Sequence, residues 1–132
     1  MAGNFTLRVI TPEAIALDET VDSIKIPGVD GSMGILPRHA AMVAALDAGE
    51  LDYTQDGREH ALFVAGGFCE VRGATVRVVS DAAERPQDID VERAAKAAER
   101  ARERLRTPGV DVLRANAALR RAMMRQLLKK KS

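Results

Sequence analysis

Five arginines in residues 87–132 have a spacing that could bind phosphate groups. Arg93 and Arg100 fall on one face of a helix at about 100° per residue, and Arg114, Arg121 and Arg125 lie within roughly 40° of one another on a second helix. Guanidinium groups bind phosphate or carboxylate oxygens through paired hydrogen bonds. Folded together, these stripes could hold a polyphosphate. Opened, they could follow an acidic protein surface, and in a third interpretation they are solvated helix faces.

The sequence offers little for catalysis. His39 and His60 lie far apart, without acidic or thiol partners at metal-ligand spacing, and no serine or cysteine has a plausible base. The glycine-rich segment 28–34 is not followed by a helical pattern, which favours a structural loop over a phosphate cradle. Cys69 is the only cysteine and is interpreted as a small apolar strand residue, so no internal disulfide is expected.

A reversal of charge near Pro86 divides the chain. Residues 1–86 carry 7 Lys and Arg against 13 Asp and Glu, a balance of −6, whereas residues 87–132 carry 13 against 6, a balance of +7. The sequence therefore predicts an acidic domain over 1–86 and a basic one over 87–132.

Apolar residues alternate with polar ones before Pro86, and turn signals recur about every 8–12 residues, as in an antiparallel β-sandwich or flattened barrel. Asp56-Gly57 predicts a hairpin, and a turn at Gly73 predicts another. Segment 28–34 is predicted as a loop whose three glycines have positive φ angles. The predicted strands or apolar runs are residues 5–10, 21–28, 40–46, 51–54, 61–64, 68–71 and 75–79.

After Pro86 the apolar residues recur at helical spacing. The first predicted helix follows the acidic segment Asp88–Asp90 and ends at Thr107-Pro108-Gly109, and Asp111 caps the second. The predicted apolar faces are Ala94, Ala98, Ala101 and Leu105 on the first helix, and Ala115, Leu119, Ala122 and Met123 on the second. A face that is mostly alanine buries little apolar area, so we interpret this antiparallel hairpin as a movable element.

Five segments, in order along nearly the whole chain, carry a resemblance to one family. Residues 26–40 (IPGVDGSMGILPRHA) closely resemble the signature loop of the epsilon subunit of F-type ATP synthases. The others that resemble this family are Val64–Val71, Asp81–Glu84, Ile89–Ala94 and Arg114–Arg125.

The resemblance implies a β-sandwich of about ten strands followed by a two-helix hairpin. It implies a non-catalytic subunit of the central stalk that joins the gamma subunit to the ring of c subunits and couples proton transport to ATP synthesis. It also implies that the hairpin can open, extend to an acidic segment of the catalytic alpha/beta head, and restrain ATP hydrolysis.

The resemblance further implies a regulatory ATP site, because some family members hold ATP through an Ile/Leu-Asp-x-x-Arg-Ala motif and arginines of the last helix. This ATP would not be hydrolysed, and no cofactor is required. The residues implied for the site are Glu84, Ile89, Asp90, Arg93, Ala94, Arg100, Arg121 and Arg125.

The resemblance also predicts the end of the first domain that faces the c-ring. The residues implied there are Asp30, Ser32, Arg38 and His39, although His39 is equally well interpreted as a residue that stabilises the loop. Two positions depart from the family pattern. Ala41 replaces the usual proline, and Ser32 stands where a glutamate is frequent, so the acidic contact to the ring either falls to Asp30 or is absent.

The alternative interpretation is an RNA-binding β-barrel with a basic helical hairpin. The acidic first domain and the four aromatic residues of the chain oppose it. Met1–Asn4 begin no signal peptide or presequence pattern, and no apolar run is long enough to span a bilayer. We therefore expect a peripheral protein on the cytoplasmic side of a bacterial inner membrane, without direct insertion into the membrane and without nucleic acid.

Overall fold

The computed structural model describes residues 4–131. Met1–Gly3, which belong to the segment without a targeting pattern, and Ser132 lie outside the described residues. The chain divides into two compact units, residues 1–85 and residues 86–132, and each is described by itself.

The first unit is a β-structure in which the described residues form eight strands. They are β1 (Phe5–Ile10), β2 (Ile15–Val21), β3 (Ser23–Gly28), β4 (Gly31–Ile35), β5 (Met42–Gln55), β6 (Arg58–Arg72), β7 (Thr75–Val79) and β8 (Ala83–Glu84). The strand order is β2-β1-β7-β6-β5-β3-β4, and β8 pairs with β6.

The two longest strands, β5 and β6, change their inward face halfway along. Inward positions on β5 are even-numbered up to Leu46 and odd-numbered from Gly49 onward. Pairing is interrupted at Asp47, opposite Gly66, where Gly66 and Gly67 have φ angles of 96° and 104°. Each strand therefore bends there and serves two faces of one core. When each is counted twice, the eight strands become the ten that the resemblance implied.

The predicted turns at Asp56-Gly57 and Gly73 are confirmed. Asp56 and Gly57 have φ angles of 51° and 77° between β5 and β6, as a tight hairpin requires, and Gly73 has a φ of 61° between β6 and β7. The prediction of a loop over residues 28–34 is wrong. This segment is mostly the β3–β4 hairpin, and of its three glycines only Gly31 has a positive φ.

Two further features of the sheet differ from the sequence-based expectation. Strand β2 was not predicted, and Val21 ends it rather than beginning the next strand. Its alternation is faint because of its seven residues only Leu17 and Val21 are buried. Strand β1 pairs in parallel with β7, so the sheet is antiparallel except at this pair. Parallel pairing joins segments almost seventy residues apart, which local turn signals cannot reveal.

Cys69 is fully buried in the core of the first unit, as its interpretation as an apolar strand residue predicts. Burial raises the pKa of its thiol from 9.0 to about 11, because the apolar surroundings disfavour the thiolate. The folded state therefore holds the proton more tightly than the unfolded state does.

This raised pKa predicts a loss of stability at alkaline pH. The stabilisation is present below the unfolded pKa and is lost as the pH rises from about 9 toward about 11. We expect the free energy of unfolding to fall more steeply over this range in the parent chain than in Cys69→Ala. Urea unfolding at a series of pH values measures both slopes, and parallel slopes would contradict the prediction.

The second unit is a helical hairpin with capped ends. A short 3₁₀ helix, Pro86–Asp88, precedes α1 (Val91–Leu105) and α2 (Val112–Lys131). The predicted face of α1 is confirmed: Ala94, Ala98 and Ala101 are buried and Leu105 is half-buried. On α2 the prediction holds for Ala115 and Ala122, which are buried, and for Leu119, which is half-buried, but not for Met123, which is 42% exposed. Leu128 is buried instead.

Candidate functional site

The motif at the start of α1 is held by a helix cap. The Asp90 side chain accepts a hydrogen bond from the backbone N–H of Arg93 at 3.0 Å, and the Asp90 carbonyl accepts one from Ala94 at 3.0 Å. An aspartate at this position satisfies a backbone donor and interacts favourably with the helix dipole. Asp90 therefore orients the first turn, while Ile89 is buried beside it in sequence and Arg93 is exposed.

The antiparallel hairpin brings Arg93 level with the second half of α2. Lys129, near the end of α2, donates a hydrogen bond to the carbonyl of Gln87, just before α1. Counting inward from this contact at about 1.5 Å per residue places Arg93 beside the turn of α2 that carries Arg121 and Arg125. Arg100 lies about two turns further along α1, on the same stripe as Arg93.

These arginines differ in exposure and in their contacts. Arg93 and Arg100 are exposed, whereas Arg121 and Arg125 are half-buried at the edge of the hairpin contact face. Arg125 is already engaged in an interaction. The guanidinium groups of Arg93, Arg100 and Arg121 have no hydrogen-bond or ion-pair partner within residues 4–131. They are therefore available to an anion.

The charge of α2 has one sign. Its twenty residues include seven Lys and Arg and no Asp or Glu. No carboxylate on this helix offsets the field of the arginines, so an anionic ligand or surface would be attracted along its whole length.

Glu84, the remaining residue of the predicted ATP site, belongs to the first unit. It lies on β8, opposite Phe63 of β6, and it is half-buried and engaged in an interaction. The second unit therefore contains seven of the eight predicted residues. These are Ile89, Asp90, Arg93, Ala94, Arg100, Arg121 and Arg125. The hairpin places Arg93 level with Arg121 and Arg125 but Arg100 about two turns away.

The four residues predicted to face the c-ring lie at the two ends of one strand. Asp30 is in the β3–β4 turn and Ser32 is at the start of β4, both exposed. Arg38 and His39 follow the other end of β4; Arg38 has a φ of 66°, and the His39 ring nitrogen Nδ1 lies 2.8 Å from the carbonyl oxygen of Ala40. Three residues of strand, Met33–Ile35, at about 3.3 Å each lie between Ser32 and the segment that carries Arg38 and His39, so the four do not form one compact site. The His39 contact agrees with its interpretation as a residue that stabilises the loop.

Sequence reasoning missed Lys129 and Gln87. The sequence shows the charge run Lys129–Lys131. It does not show which backbone carbonyl a lysine bonds to, because every residue type carries that group. Among the described residues no group of three or more His, Cys, Asp or Glu could hold a metal ion. No helix in residues 4–131 is long and apolar enough to cross a membrane.

Comparison with known proteins assigns both units to one family. The model of the ATP synthase delta/epsilon chain β-sandwich domain matches residues 4–86, and that of the long α-helix domain matches residues 87–125. An ATP synthase epsilon chain of Carboxydothermus hydrogenoformans is 52% identical over 110 residues, 82% of each chain. That of Symbiobacterium thermophilum is 50% identical over 125 residues, 92% of this chain and 90% of the relative.

A solved structure supports the same assignment. A chain in the cryo-EM structure of the Euglena gracilis mitochondrial ATP synthase, containing OSCP, F1 and the c-ring, is 26% identical with a TM-score of 0.78. The match covers 98% of this chain and 82% of that one. A β-sandwich followed by a helical hairpin is thus the architecture of a rotary ATP synthase stalk subunit.

The chain belongs to the ATP synthase delta/epsilon chain family, and its curated relatives are epsilon chains. An epsilon chain is a non-catalytic subunit of the central stalk of the F-type ATP synthase. This membership favours the stalk interpretation over the RNA-binding alternative.

Proposed function

We propose that this chain is a rotor subunit whose hairpin restrains ATP hydrolysis and is itself regulated by bound ATP. The observation that carries the proposal is the hairpin: a separate compact unit, with a contact face built largely of alanine and guanidinium groups that have no partner within residues 4–131. A weakly packed basic unit is suited to exchange one anionic partner for another.

In this proposal the first unit joins the gamma subunit to the c-ring and transmits rotation between them. The turn between β3 and β4 supports a contact with another protein, because two large apolar side chains are exposed beside Asp30 and Ser32. Val29 is 55% exposed and Met33 is 38% exposed. Apolar side chains clustered beside charged ones are typical of contact surfaces.

The hairpin has two alternative partners in this proposal. In the compact form, ATP lies between the α1 motif and Arg121 and Arg125 of α2, without hydrolysis. In the extended form, the same basic helices follow an acidic segment of the catalytic alpha/beta head. If the ATP concentration is about ten times the dissociation constant, the compact form gains roughly 1.4 kcal/mol, enough to redistribute a nearly balanced equilibrium.

The proposed location follows from the complex. The chain is a peripheral component on the cytoplasmic side of a bacterial inner membrane, held there by gamma and the c-ring. It requires no cofactor, binds no nucleic acid and does not insert into the bilayer.

Removal of the hairpin tests the inhibitory part of this proposal. ATP synthase complexes assembled with residues 1–86 should hydrolyse ATP several-fold faster than complexes assembled with the full chain, while proton pumping driven by ATP is retained. Hydrolysis rates and acidification of inverted vesicles measure the two effects. Equal hydrolysis rates would refute restraint by the hairpin, and loss of pumping would show that the hairpin is also needed for coupling.

A further inference from the structure

The contact face between α1 and α2 defines their relative register only weakly. Along most of its length the buried members are alanines only, namely Ala94, Ala98 and Ala101 on α1 and Ala115 and Ala122 on α2; the one larger buried side chain of the two helices, Leu128, lies near the open end of the hairpin. Methyl groups of one size permit close approach, but a sliding movement by one turn brings another methyl group into the same position. The register of the hairpin must therefore be defined at its ends.

The closed end is defined by the link between the helices. Arg106 and Thr107 donate backbone hydrogen bonds to the last turn of α1, at 3.1 and 3.0 Å. Asp111 caps α2 by accepting from the backbone N–H of Arg114 at 3.1 Å. Gly109, with a φ of 81°, turns the chain between them. This end allows a hinge movement but not a long translation.

At the open end, where Ile89 and Leu128 are buried, a polar contact joins residues 42 apart in the sequence. The Nζ of Lys129 donates to the carbonyl oxygen of Gln87 at 3.2 Å. Gln87 belongs to the 3₁₀ helix, which packs against α2. Its carbonyl lies before the first intrahelical acceptor of α1, Asp90, so α1 itself supplies no donor to it.

We infer that Lys129 is a positioning residue that fastens the open end of the hairpin. When Lys129 bonds to Gln87, the two helices are fixed at both ends, and Arg121 and Arg125 are held level with Arg93. When the bond breaks, the hinge at Gly109 lets α2 swing away from α1. Lys129 has this fastening role in the hairpin whether or not ATP binds. Its effect on ATP binding rests on the proposed function.

Distance measurements between spin labels in the full chain test this inference. Nitroxides are attached at Ala95→Cys on α1 and Leu127→Cys on α2, both exposed positions. Cys69 stays in place, since its buried thiol with a pKa of about 11 reacts poorly. The variant is Lys129→Met, which keeps the aliphatic stem and removes the donor. Lys130→Met is the control, because Lys130 is exposed and makes no hydrogen bond within residues 4–131.

We expect Lys129→Met to raise the ratio of open to closed hairpin roughly two- to tenfold, as loss of a typical hydrogen bond does. Lys129→Arg should restore most of the closed population, and Lys130→Met should match the parent. Identical distance distributions in Lys129→Met and Lys130→Met would overturn the inference.

Calorimetric titration with ATP separates the inference from the proposed function. If the parent binds ATP and Lys129→Met binds it more weakly, both stand. If the parent does not bind ATP but Lys129→Met opens the hairpin, the fastening role stands and the ATP proposal fails. If the parent binds ATP and Lys129→Met leaves the distances unchanged, only the fastening role fails.

Discussion

Replacing Arg93 by alanine should weaken ATP binding by the full chain about 10- to 150-fold. The exposed Arg93 guanidinium follows the Asp90 cap directly and lies level with Arg121 and Arg125. A hydrogen bond to a charged group contributes roughly 1.5–3 kcal/mol, which corresponds to that range of affinity. Calorimetric titration of parent and variant with ATP measures the change.

Arg102→Ala is the matched control for this prediction. Arg102 lies on the same helix, about 180° from Arg93, and its nearest partner is Glu99 at 3.7 Å. The control lowers the net charge equally, so a general electrostatic effect would weaken binding in both variants. Undiminished binding in Arg93→Ala would refute the site, and no binding by the parent up to millimolar ATP would leave the stalk assignment intact.

Replacing Gly67 by alanine should destabilise the first unit by about 2–6 kcal/mol. An added Cβ would overlap the Val79 carbonyl oxygen and lie 2.9 Å from its carbon and 3.0 Å from Ser80 Cα. The φ of 104° adds backbone strain of about 1–3 kcal/mol, and overpacking costs typically 1–3 kcal/mol more. The opposing backbone is not free to shift, because the buried Ser80 hydroxyl accepts from Ala65 N–H and donates to the Ala82 carbonyl.

Gly73→Ala separates steric overlap from strain. Gly73 also has a positive φ, of 61°, but an added Cβ there meets nothing within 4 Å. We expect a loss of only about 1–2 kcal/mol. Urea unfolding followed by circular dichroism measures both variants, and similar losses would mean that the close approach at Gly67 relaxes easily.

Features that depend on a few neighbouring residues were predictable from the sequence. Asp56-Gly57 defines a tight turn through backbone conformations that these residues tolerate. Asp90 and Asp111 mark the starts of the helices because their side chains bond to backbone three residues ahead. The buried face of α1 follows from its 3.6-residue period.

Features that depend on distant segments were not predictable in the same way. Strand β2 lacks a clear alternation of apolar and polar residues because most of its residues are not buried. No local turn signal indicates the parallel pairing of β1 with β7. Segment 28–34 was mistaken for a loop because three glycines suggested irregular backbone, although two of them adopt ordinary strand conformations. Met123 was placed in the contact face because α2 has a further apolar face that α1 does not cover.

In the candidate site, too, the local helical spacing was predictable from the sequence and the contacts between the two helices were not. The sequence placed Arg93 and Arg100 on one stripe and Arg121 and Arg125 on another, since helical spacing is local. That Arg93 lies level with Arg121 and Arg125, and that Lys129 joins the ends, depends on how the hairpin closes. The family resemblance supplied the ATP hypothesis, which helical spacing alone left beside two other interpretations.

The sequence by itself determined the division near Pro86, the two charge signs, the helices with their caps, and the tight turns. Each follows from interactions between residues close together along the chain, or from composition. Only the tertiary structure decided where β5 and β6 bend, which strands are neighbours, and which residue fastens the hairpin. These depend on contacts between distant segments, such as Lys129 with Gln87, 42 residues apart, and β1 with β7, where Thr6 pairs with Thr75. Closing such long loops costs chain entropy that is offset only when the whole core forms.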